Sequence, residues 1–81
     1  MPGAIVLVNT DIGKETSVLE GLKAMREVEC AYVIYGVYDV VVKVSASDME
    51  SLDTVVSKRI RGLEGVRSTL TLVISKEYRR A

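Results

Sequence analysis

The order of elements written into this chain is strand, helix, strand, strand, helix, strand. It predicts an α+β domain: a four-stranded antiparallel sheet with both helices packed on one face. Short β-branched runs at Ala4 to Val8 and Val40 to Val44 carry that prediction, together with helical apolar spacing after each of them. A third observation is a glycine-broken pair of runs, Cys30 to Tyr35 and Val40 to Val44, which reads as two antiparallel strands. With 81 residues the chain is expected to form one domain over 1–81. A lone core of that size leaves a domain marginally stable, which favours self-association.

The first strand, Ala4 to Val8, is apolar on both faces and is ended by Asn9, Thr10, Asp11 and Gly13. From Lys14 to about Glu27 the spacing becomes helical. Val18, Leu19, Leu22 and Met25 form the apolar stripe, and Lys14, Glu15, Glu20, Lys23 and Glu27 fall between them. After the central pair of strands, Ser47 and Glu50 stand at capping-box spacing, so the second helix should begin near Asp48. Its apolar positions are Met49, Leu52, Val55, Val56 and Ile60, with both methionines, Met25 and Met49, assigned to the core. Lys58, Arg59 and Arg61 complement the dipole of the last turn, and Gly62 or Gly65 stops the helix. Val66 to Ile74 is the last strand, and Ser75 to Ala81 a polar tail whose Lys76, Arg79 and Arg80 read as a solvated terminus.

In this topology the first and third strands are central, matching the two most continuously apolar runs. Ile5, Val6 and Leu7, like Val40, Val41 and Val42, nevertheless run apolar through both faces, and two helices cover only one. Covering several hundred Å² of apolar sheet at roughly 25 cal/mol per Å² contributes on the order of 10 kcal/mol of gross stabilisation. A second copy laid face to face is the simplest cover, giving a two-fold dimer, with a different partner or a ring surface as the alternatives.

Composition excludes several classes of function. The 11 basic and 11 acidic residues cancel, leaving no broad field for nucleic acid or an anionic membrane. No apolar run approaches the roughly 18 residues needed to span a bilayer. The single Cys30 forms no internal disulfide and reads as a small packed hydrophobe, which fits a reducing cytoplasm. There is no histidine, so the commonest general base and metal ligand is missing, and no nucleophile constellation or phosphate loop appears. Neither enzymatic activity, a catalytic residue, a metal nor a cofactor is expected, although small dimeric enzymes of similar architecture exist.

The segment most suited to holding a small molecule is Tyr35-Gly36-Val37-Tyr38-Asp39, which displays backbone amides and a carboxylate at the sheet end. Each candidate has two readings. Gly36 lets a ligand approach the backbone, or merely satisfies the hairpin. Asp39 accepts from a ligand's ammonium, or closes an Asx-type turn. Tyr38 is a pocket wall or an interface anchor. Ser68, Thr69 and Thr71 are pocket hydroxyls, or strand residues bonding across to neighbours.

Val33 to Val44, containing that turn, together with Ile60 to Thr71, containing Gly65-Val66-Arg67-Ser68-Thr69-Leu70-Thr71, resembles the effector-binding domain of the Lrp/AsnC regulators, also called the RAM domain. The resemblance runs from Ala4 to Ile74. It implies a ferredoxin-like βαββαβ fold, a dimeric barrel-like assembly of facing sheets, and octameric or decameric rings. It also implies an amino-acid effector where dimers meet, near the turn between the second and third strands, drawing on Gly36, Val37, Tyr38, Asp39, Ser68, Thr69 and Thr71. Only Met1, Pro2 and Gly3 precede the first strand, so the chain resembles the stand-alone form without a helix-turn-helix domain. The function expected is cytoplasmic amino-acid sensing coupled to assembly, with full-length regulators as partners and no direct DNA contact. The alternative is a ring that docks a partner and holds no ligand.

Overall fold

The computed structural model describes all 81 residues. Strand β1 spans Gly3–Thr10, helix α1 Glu15–Lys23, β2 Val28–Val33 and β3 Val40–Ser45. Helix α2, Met49–Thr54, runs directly into a π-helical segment, Val55–Ile60, and β4 closes the fold at Val66–Val73. The sheet order is β2-β3-β1-β4 with every neighbouring pair antiparallel, so β1 and β3 are central, as the ferredoxin-like topology requires.

Strict alternation along the central strands decides which side chains make the core. Ala4, Val6 and Val8 of β1 and Val40, Val42 and Val44 of β3 are fully buried and stand opposite one another in the ladder. They pack with Val18, Leu22 and Met25 from the first helical region and Leu52, Val55, Val56 and Ile60 from the second. The residues between them point to the other face. There Ile5, Leu7 and Val41 form an apolar centre, flanked by Tyr32, Leu70 and Leu72, which are 60%, 44% and 47% exposed. One face of the sheet is therefore covered within the chain and the other is bare.

Helix α1 ends at Lys23 rather than near Glu27, because the chain passes into successive turns in which the Met25 N–H donates to the Leu22 carbonyl (3.0 Å) and the Val28 N–H to the Met25 carbonyl (3.1 Å). Met25 stays buried as expected, whereas Met49 is 52% exposed, since it opens α2 beyond the edge of the core. The cap of α2 is Asp48, whose Oδ1 accepts from the Ser51 N–H at 2.7 Å, and not the Ser47 side chain. Cys30 is exposed rather than packed: it stands opposite Lys43, on the bare face. Ile34 and Tyr35 leave β2 for the loop, because strand pairing ends at Val33–Val40. Both edge strands carry register shifts, at Glu29 in β2 and at Arg67 in β4. The tail remains exposed, yet Glu77 ion-pairs with Lys43 and Arg79 with Glu77 (3.0 Å), tying the end of the chain to β3. No helix is long and apolar enough to cross a membrane.

Candidate functional site

Gly65 turns the chain into β4 at φ +96°, and its carbonyl accepts the Asp11 N–H at 2.8 Å, fixing the start of β4 against the end of β1. The ladder then slips by one residue. Asn9 pairs with Ser68 and Thr10 with Val66, so Arg67 is the extra residue of a β-bulge. Bulges bend a strand and re-aim a side chain. Arg67 accordingly borders two neighbouring hollows.

The first hollow, ≈ 390 Å³, is entirely polar and is lined by Asn9, Thr10, Asp39, Arg67 and Ser68. Asp39 is held from three directions. Its N–H donates to the Val8 carbonyl (3.0 Å), its carbonyl accepts from the Ile34 N–H (2.9 Å), and its Oδ2 accepts from the Thr10 N–H at 2.8 Å and the Thr10 hydroxyl at 3.4 Å. The carboxylate therefore braces the end of β1 instead of closing a local Asx turn, and Oδ1 takes no hydrogen bond from the chain. On the rim, the Asn9 side-chain amide donates to Ser68 Oγ at 3.2 Å.

The second hollow, ≈ 450 Å³, lies between β4 and the second helical region. Ser68, Thr69 and Thr71 line its strand wall, and Leu52, Val56 and Ser57 its helical wall. Pairing of Val6 with Thr71 and Val8 with Thr69 turns both threonines to the helix-covered face, where no further strand covers the β4 edge. The helical wall is not a regular α-helix. Thr54 Oγ1 and Ser57 Oγ donate to the carbonyls of Glu50 (3.1 Å) and Asp53 (2.6 Å), competing with the backbone ladder, and the Arg61 N–H donates five residues back to Val56 at 3.3 Å.

Among the residues singled out from sequence, Asp39 and Ser68 thus share the polar hollow, and Ser68, Thr69 and Thr71 line the mixed one. Gly36, Val37 and Tyr38 border neither. Gly36 does not adopt positive φ, and nothing lies within 4 Å of where its Cβ would be, so the loop geometry of the lone chain does not demand a glycine there. Val37 and Tyr35 are bare, while Tyr38 is half-buried. Sequence reasoning missed Asn9, Thr10 and Arg67, whose part in the site depends on the bulge and on β1 lying beside β4.

Residues 3–81 match the model of the Lrp/AsnC ligand-binding domain. The chain belongs to that family. The Lrp/AsnC domain described here superposes on a hypothetical protein of Pyrococcus horikoshii with 40% identity and a TM-score of 0.87, covering 96% of this chain and 94% of that one. It superposes on AsnC of E. coli with 24% identity and a TM-score of 0.91, covering 99% of this chain and 55% of AsnC, a likeness of fold. Among curated relatives, a homocitrate synthase of Saccharolobus solfataricus is 37% identical over 68 residues, which is 84% of this chain and 13% of the enzyme. The Lrp/AsnC domain thus spans about an eighth of that relative, far less than its whole length.

Proposed function

We propose that residues 1–81 form an effector module that acts in the cytoplasm. It pairs through its bare sheet face, assembles further into a ring, and binds an amino acid where dimers meet. The observation that carries this reading is the pair of adjoining hollows along β4. Asp39, Ser68, Thr69 and Thr71 gather there, beside a loop whose Tyr35 and Val37 have no cover from their own chain. Membership of a family of ligand-binding domains supports it. An α-amino acid needs an acceptor for its ammonium and donors for its carboxylate. The free Oδ1 of Asp39 serves the first need and the strand hydroxyls the second. Gly36, Val37 and Tyr38 of a neighbouring copy then close the open side. A ligand touching two dimers stabilises the assembled form by mass action, and that change of assembly is the output passed to full-length Lrp/AsnC regulators.

The second reading is a docking ring without a ligand, favoured by the same bare loop, which offers apolar surface to a protein partner. Titration calorimetry of the purified oligomer with each standard amino acid separates the two. Saturable heat with at least one, accompanied by a larger sedimentation coefficient, is expected. Silence with all of them, together with an unchanged melting temperature, points to the docking ring.

A further inference from the structure

The mixed cavity between α2 and β4 has two walls that depart from regular geometry in different ways. The π-helical segment widens one and the bulge at Arg67 bends the other. The consequence is a charge pattern. Arg61, just past the π-helical segment, and Arg67, at the bulge, line the cavity together with a single acid, Asp53. Arg61 and Asp53 enter no ion pair within the chain, and Arg67 has only a 3.7 Å contact with Asp11 in which both side chains are largely exposed. These charges are uncommitted.

We infer that the effector is a dicarboxylic amino acid of the glutamate or aspartate type, an assignment that rests on the amino-acid reading above and narrows it. Such a ligand carries one carboxylate more than a neutral amino acid. Its ammonium and α-carboxylate keep Asp39 and the strand hydroxyls, and its side-chain carboxylate takes the planar donor forks of Arg67, which borders both hollows, and Arg61. Leu52 and Val56 provide an apolar wall for the methylenes between the charged ends. The ≈ 450 Å³ of the cavity lies within the range of small-molecule sites.

The test is calorimetric titration of the intact oligomer with L-glutamate, L-aspartate, L-glutamine and L-asparagine. An acid is expected to bind about tenfold or more tightly than its amide, the ratio that follows from one charge-assisted hydrogen bond. Arg61→Gln and Arg67→Gln, both at exposed positions, should each reduce that preference, and Arg61→Lys should keep its sign. Amides that bind as tightly as acids, or a preference that survives both Arg→Gln variants, overturn the assignment. Binding of a neutral or cationic amino acid in place of the acids overturns it while leaving the amino-acid reading intact. Silence from every amino acid overturns both.

Discussion

Asp39 shows how one side chain serves the fold and the site together. Its Oδ2 satisfies the backbone N–H of Thr10, a residue only 6% exposed, so Asp39→Ala leaves a buried donor unpaired at a cost of about 1–3 kcal/mol. In a domain of this size each kcal/mol lowers the melting temperature by about 4–8 °C, which calorimetry resolves. Asp39→Asn keeps an acceptor for Thr10 and removes the charge. It should therefore retain most of the stability and lose effector affinity, and unchanged affinity would remove Asp39 from the site. The glycines order themselves by the same logic. Gly65→Ala places an L-residue at φ +96° with its Cβ 2.9 Å from Lys14 Cβ, a strain worth about 1–3 kcal/mol, whereas Gly36→Ala meets nothing and should leave the protomer's melting temperature unchanged. Any effect of Gly36→Ala then appears in assembly or binding alone. Sequence pointed to Gly36 because glycine beside tyrosine and aspartate looks like a turn. It could not show that a positive φ falls at Gly65, because that follows from how β4 returns to β1.

At the scale of elements, the helices were legible where burial imposes a period, as in Val18 and Leu22, and the central strands as short apolar runs, as in Val40 to Val44. They were less legible where local hydrogen bonding decides. The second helix starts where expected, but Asp48 rather than Ser47 caps it, since its Oδ1 accepts from the Ser51 N–H and a carboxylate serves at an N-cap as well as a hydroxyl does. The Ser51 N–H holds the Asp48 carboxyl below its ordinary value. A folded-state value that is depressed means the ionised carboxylate stabilises the fold at pH above the usual aspartate range. That contribution disappears as pH falls through the lowered folded value. Asp48→Ala should accordingly melt below the parent at neutral pH, with the gap closing in strong acid, and a gap independent of pH would show that the cap does not act through its charge. The π-helical segment and the Arg67 bulge had no apolar signature, because each changes the backbone path without changing which residues are apolar. They are nonetheless the two features that shape the cavity.

For the whole molecule, the bare sheet face is the largest imbalance. Ile5 and Leu7 belong to the same strand as the fully buried Val6, and their side of the sheet has no helix to cover it. This was readable in sequence as apolar residues in succession where alternation was due, a pattern that follows from burial on two sides whatever supplies the second cover. What supplies it was not readable, since a single chain records its own contacts and not its copy's. Leu70, which stands opposite Leu7 and is 44% exposed, lies within that face. In the proposed dimer, Leu70→Glu would place a charge without a partner in a desolvated interface, a penalty of several kcal/mol that weakens association by about two to three orders of magnitude. The same substitution in an isolated protomer meets solvent and costs little. Sedimentation at micromolar concentration should therefore show a dimer or larger species for the parent chain and a folded protomer for Leu70→Glu, with far-ultraviolet circular dichroism preserved. A parent chain that sediments as a stable lone protomer would leave the apolar face without a cover, and the effector site without the neighbouring loop that completes it.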